Sequence, residues 1–260
     1  MPFTLAHAAA AIPFRRTRLI PSALVVGCLS PDFEYFLRLA PKGGFGHTLA
    51  GLFAFDLPAS LLILWLFYAY AREPILTWLP TVVRRRIAYS SALFPVRNVR
   101  QIVLVLVSIV IGGATHILWD SFTHPFFWPY RHWHFLSHMI QLPFIGPVRW
   151  YKILQHLSTA VGLMALLLWL FHWYRTTVPC NMVGRKDAEE NGHPLLAFMC
   201  LAAVFAGLLR GFFGVGIPTN MHGCEALLAD SATAAITVLW LEIVAYGIVR
   251  KKNRGRLTGA

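Results

Sequence analysis

Residues Ile153 to Trp173, ILQHLSTAVGLMALLLWLFHW, decide the fold. Their only ionisable groups are His156 and His172. A helix needs about 20 apolar residues to cross a hydrocarbon core, and a helix satisfies every backbone hydrogen bond within itself. The stretch therefore reads as a transmembrane helix. Working outward, Leu49 to Ala71 qualifies despite Asp56 and Pro58, and so does Ile102 to Trp119, where His116 is the one ionisable residue. Leu195 to Gly216 carries Arg210, and Ala232 to Val249 carries Glu242. A sixth segment, Leu19 to Leu37, begins apolar but is interrupted by Pro31, Asp32 and Glu34. It could span, re-enter or lie at the interface.

The whole composition agrees. The 260 residues are 57% hydrophobic and 13% charged, with a mean hydropathy of +0.58. A soluble domain carries about 25% charge, so a disordered chain and an ordinary soluble enzyme are both excluded. The fold class expected is all-α: a polytopic membrane bundle of five to six transmembrane helices with an N-terminal interfacial or re-entrant helix. The net charge of +12 suits basic loops beside anionic lipid. The triple arginine Arg84 to Arg86 has no nucleic-acid reading motif beside it, so no nucleic-acid partner is expected. Cys28, Cys180, Cys200 and Cys224 form no C-x-x-C pair, which excludes a disulfide framework and a zinc ribbon. No phosphate-binding glycine loop and no G-x-S-x-G elbow is present. The glycines of GFFGVG, Gly211 to Gly216, fit close helix packing instead.

Six spans with both termini cytoplasmic put 17 basic residues inside and 5 outside, with Arg210 within a span. That asymmetry is the expected one. The inside segments include Arg97, Arg185 and Lys186. The polar stretch 176–194 separates a unit at 1–175 from a two-helix hairpin with a basic tail at 195–260. RRTR followed by LIPSALVVGC resembles a lipoprotein signal ending at Cys28, but its apolar run is short and contains Pro21.

His116 and Asp120, in HILWD, stand four residues apart at a helix end, so both side chains share one face. Imidazole and carboxylate together suit zinc and similar divalent ions; a hydrogen-bonded helix end is the plainer alternative. In the six-span arrangement Asp32, His47, Asp120, His116 and His124 gather at one interface. Ionisable groups at membrane depth are costly and mark function. His7 reads as a first-turn histidine on a surface helix that Thr4 could cap, and joins the site only if that helix lies on the outer side. His132, His134 and His138 fit an interfacial aromatic belt, with an i, i+4 pair for the last two. His156 either faces the cluster or bonds a neighbour. His172 lies at the inner end.

These motifs occur in a fixed order: M-P-F-T-x-x-H, G-x-x-S-P-D-F-E-Y, G-H-T, H-I-L-W-D-S-F-T-H and Y-K-x-x-Q-H, from Met1 to about Tyr174. In that order they resemble an uncharacterised domain-of-unknown-function family of bacterial inner-membrane proteins. That family is similar to predicted membrane-bound metal-dependent hydrolases and, more distantly, to zinc-dependent phospholipase C. The resemblance implies His7, Asp32, His47, His116 and Asp120 as successive metal ligands, His124 as a further one, and Asp32 and Asp120 as catalytic groups. The series departs at His134 and His138, H-x-x-x-H where H-x-x-x-E belongs, which leaves a mono- or dinuclear site. The function expected is a divalent-metal-dependent, zinc-favouring hydrolase acting on a membrane lipid or lipid-linked (phospho)ester. It would work at the outer face of the bacterial cytoplasmic membrane. The alternative is a non-enzymatic carrier or structural metal-binding module.

Overall fold

A computed structural model of the chain describes residues 3–87, 96, 98–125, 127–143, 146–180 and 192–258. Arg97, Arg185, Lys186 and most of the polar stretch 176–194 lie outside the described residues. Among the described residues the secondary structure is helical apart from one hairpin of β1 (Met139–Leu142) and β2 (Gly146–Arg149). Five helices are long and apolar enough to cross a membrane: Leu49–Trp78, Val99–His132, Trp150–Thr176, His193–Val215 and Met221–Arg254. The chain is thus a multi-pass membrane protein. Its helix surfaces show it: Trp150–Thr176 buries only Gln155 and Gly162 and presents Leu157, Val161, Met164, Leu168 and Phe171 outward. In water such a surface would be untenable.

The sixth candidate span is not one helix. Pro21–Leu29 (α1) is nine residues, a turn of 3-10 helix follows at Ser30–Asp32, and Phe33–Arg38 (α2) is six. At about 1.5 Å per residue neither α1 nor α2 crosses a 30 Å core. Pro21 starts α1 without loss, because the first turn has no intrahelical N–H bond to give up. Ahead of α1, Thr4–Arg16 is a 13-residue 3-10 helix, well beyond the usual three or four.

Packing divides the chain into two units. The described residues of Met1–Asp32, Phe45–Leu61 and Pro95–Thr176 form the first, and those of Phe33–Gly44, Leu62–Phe94 and Thr177–Ala260 the second. In the first unit α1 lies against Val99–Thr123 (α4), with backbones nearly touching. A Cβ on Gly27 would collide with the Ile109 carbonyl, and one on Gly112 with the Leu24 carbonyl. Small residues of this kind let membrane helices approach closely. The helix Leu49–Trp78 (α3) starts at a Thr48 cap, whose Oγ1 accepts from Gly51 N at 2.9 Å. Its π-helical stretch Leu52–Asp56 widens the turn just before Pro58, which is how the helix tolerates a proline ring.

The second unit contains a tight hairpin of Gly192–Val215 (α6) and Met221–Thr258 (α7), counting Trp150–Thr176 as α5. Gly211 faces Leu227 and Ser231 of α7, so its glycine does serve close packing. Arg210 pairs with Asp230 at 3.7 Å, not with Glu242 or Asp56, the carboxylates that hydropathy places inside spans. A final span drawn from Ala232 leaves Asp230 outside the membrane, whereas α7 begins eleven residues earlier, at Met221.

A buried histidine and aspartate cluster as candidate metal centre

Four segments of the first unit deliver one polar cluster. The N-terminal 3-10 helix brings His7, the turn after α1 brings Asp32, and the residue before the Thr48 cap brings His47. The last two turns of α4 bring His116 and Asp120 on one face, and His124 caps that helix. His7, Asp32, His116 and Asp120 have at most 1% of their side chains exposed. His47 keeps 9% and His124 15%.

Four donor atoms face one another across short gaps. His47 Nε2 is 3.4 Å from Asp32 Oδ1 and 3.4 Å from Asp120 Oδ2. His116 Nε2 is 3.7 Å from Asp32 Oδ1 and 3.5 Å from Asp120 Oδ2. Tetrahedral zinc with bonds near 2.0–2.2 Å would hold its ligand atoms about 3.3–3.5 Å apart. Three of these four distances fall in that range, and the fourth, from His116 to Asp32, is slightly longer. Asp120 turns its other oxygen to His7, whose Nε2 lies 3.3 Å from Oδ1. His7, His116 and Asp120 form one group with metal-holding geometry, and Asp32, His47 and His116 another.

The surroundings aim these atoms. His116 Nδ1 meets the Cys28 carbonyl at 2.7 Å, so it carries the proton and leaves the Nε2 lone pair for the cluster. Thr4 Oγ1 donates to Asp32 Oδ2 at 2.6 Å, which leaves Oδ1 to face His47 and His116. His7 stacks on His116 with ring centres 3.7 Å apart and meets the edge of Trp119. The backbone N of Phe3 donates to Thr159 Oγ1, and Ala6 nests on Gly162 of α5. Both ring nitrogens of His7, His116 Nε2 and Asp32 Oδ1 are buried without a hydrogen bond among the described residues. Orphaned buried polar atoms are costly, and here they converge.

Charge follows the geometry. Burial alone would raise Asp32 and lower His47, but the facing pair reverses both. Asp32 is held below the ordinary carboxylate range, chiefly by His47. The facing Asp120 and Asp32 carboxylates outweigh burial and push His47 up to about 9. His7 is held below its ordinary value by burial, which outweighs Asp120. The His47 proton thus sits where the carboxylates call for a cation, and a divalent ion can replace it.

All six ligand candidates from the sequence come to one place, but not in equal roles. His7 is buried in the cluster and not a surface residue, and Thr4 binds Asp32 instead of capping its helix. His124 lies beside the donor set, its Nδ1 3.4 Å from Asp120 Oδ2 and its Nε2 3.4 Å from Gln155 Nε2. In Y-K-x-x-Q-H it is Gln155 that turns inward, while His156 is exposed. His134 and His138 do not share a helix, since His134–Ser137 ends before His138, the residue ahead of β1. His132 stacks on Trp128. Thr4, Thr123, Gln155 and Thr159 escape a search for ligands, because their residue types carry no metal signal. Their positions beside motif histidines and aspartates are the available clue.

No curated protein and no solved structure matches the chain. One family profile, Domain of unknown function (DUF4184), matches residues 1–248. The match runs past Tyr174 through most of the last two helices, further than the motifs reach. The chain belongs to the DUF4184 family.

Proposed function

We propose that the chain is a membrane-embedded hydrolase that works with a divalent metal, zinc by preference, on a lipid or lipid-linked (phospho)ester. The observation that carries this is the four-donor set of Asp32, His47, His116 and Asp120, with edges of 3.4 to 3.7 Å around orphaned atoms. When bound, the metal supplies a Lewis acid and lowers the pKa of a bound water. His47, His116 and Oδ2 of Asp120 hold the ion, with Asp32 completing the set. Oδ1 of Asp120, turned to His7, would be free of that duty and would be the atom placed to accept a proton from an attacking water. His47 and His124 have the exposed edges, so the ester meets the cluster beside them. The site lies toward one end of α4, a helix long and apolar enough to cross a membrane, which favours a lipid substrate.

The same reading revises the expected topology. With the segment before Leu49 too short to span, five crossings separate the N-terminal site from the basic tail of α7. Keeping that tail and the Arg84 to Arg86 loop cytoplasmic puts His7 and the cluster on the outer face. Arg15, Arg16 and Arg18 then move outside, giving 14 basic residues inside and 8 outside, still the expected asymmetry. The membrane is the bacterial cytoplasmic one.

A structural metal site is the second reading, favoured by one feature: four protein donors fill zinc's usual shell. The test is hydrolysis. The full chain in phospholipid nanodiscs should release a lipid product detectable by mass spectrometry, lose that activity to a chelator and regain it with zinc. Metal-loaded protein that binds stoichiometrically and yields no product would favour the structural module.

A further inference from the structure

We propose that Phe127 closes the mouth of the cluster and selects for an apolar group beside the reacting centre. The proposal rests on the metal-hydrolase reading for its chemistry but on separate geometry. Among the described residues of the cluster, only His47 and His124 keep appreciable exposure, 9% and 15% of their side chains. These two rings are where the cluster meets its surroundings. Phe127 stands at both: its ring centre is 6.4 Å from that of His47 and 6.4 Å from that of His124. It is half-buried, tilted against the His47 ring and edge-on to that of His124.

The chain that follows it is rich in exposed aromatics and carries no carboxylate. Trp128, the next residue, is 61% exposed, and Trp133 and Phe135 are also exposed. The sequence holds no Asp or Glu between Asp120 and Asp187, whereas Arg131 and Arg149 lie in this stretch. A ligand entering here is an amphiphile: an anionic or ester group for the cluster, with a hydrocarbon chain or ring against Phe127. A small, fully hydrophilic phosphate ester would gain nothing from that contact.

The experiment uses the full chain in detergent, with two probes that need no known substrate. The first is the rate of zinc loss to 1,10-phenanthroline, an aromatic chelator, against that to EDTA, a hydrophilic anion. An aromatic pair contributes about 0.5–1.5 kcal/mol beyond burial, a preference of about two- to tenfold for phenanthroline. Phe127→Ala should abolish that preference with zinc stoichiometry unchanged. Phe127→Leu, which keeps the mouth filled, should lower the preference too. The second probe is carbethoxylation by diethyl pyrocarbonate on chelator-stripped protein, mapped by mass spectrometry. Phe127→Ala should raise modification of His124 but not of exposed His132, and Phe127→Leu should leave both near wild type. Unchanged modification of His124 in Phe127→Ala would overturn the proposal, as would a phenanthroline preference that survives in that variant. If the wild-type protein takes up no zinc, the metal reading fails, while the modification pattern still decides the role of Phe127.

Discussion

Thr4→Val removes one hydroxyl from outside the donor set and keeps the side chain's shape. Thr4 Oγ1 donates to Asp32 Oδ2 at 2.6 Å, and Asp32 is 1% exposed, so no water stands ready to replace the donor. A hydrogen bond to a charged group contributes about 1.5–3 kcal/mol, which corresponds to a factor of about 10 to 150 in an equilibrium constant. Partners that orient metal ligands are worth about 10- to 100-fold in metal affinity when removed. The two ranges overlap. The hydrogen bond also exists in metal-free protein, so part of the loss falls on folding stability. The expected weakening of zinc binding is therefore near the lower end, about tenfold. Competition with a chromophoric chelator measures it directly. Thr4→Ser, which keeps the donor, should bind within about twofold of wild type by the same accounting. Thr4→Val binding as tightly as wild type would refute the orienting role and the assignment of Asp32 Oδ1 to the metal.

Further outcomes follow from the same geometry. Because His47 is pushed up to about 9 in metal-free protein, binding must displace its proton. Zinc affinity should then rise about tenfold per pH unit across pH 7 to 9 and level above it; a flat titration would contradict this. In metal-free protein the sign reverses. The imidazolium's stabilisation is complete below about pH 6.5 and fades as pH rises through about 9, so a thermal melt of chelated protein should fall across that window. Asp230→Asn should lower stability in detergent by about 1–2 kcal/mol, less than a fully buried pair because Arg210 is a third exposed. Glu242→Gln and Asp56→Asn should leave the Arg210 pair intact in a double-mutant cycle with Arg210. Gly112→Leu should drive α1 from α4 and cost zinc binding through the displaced Cys28 carbonyl, although Gly112 touches no ligand. His156→Ala and His172→Ala should keep full metal content by elemental analysis.

The helices were legible because lipid enforces a simple code of length and apolarity, and Ile153 to Trp173 obeys it without exception. Leu19 to Leu37 resisted, because its apolar half suggests a span while Pro31 and Asp32 serve the turn that aims a carboxylate. The pair His116 and Asp120 was readable from i, i+4 spacing on one helix. His7 was not, since nothing local distinguishes a buried histidine from an exposed one in an alanine-rich segment. Its burial depends on Gly162 and Thr159, more than 150 residues away. Asp230 was misplaced for a related reason: hydropathy ends a span at the first polar residue, whereas a helix continues wherever that residue finds a partner.

The central claim is that Asp32, His47, His116 and Asp120 hold a divalent metal, and elemental analysis of gently purified protein beside its Asp120→Ala variant tests it most directly. The account predicts at least stoichiometric zinc or a similar divalent ion in the wild-type chain and loss of most of it in the variant. A wild-type chain without bound metal, or an Asp120→Ala variant that retains it in full, would contradict the account.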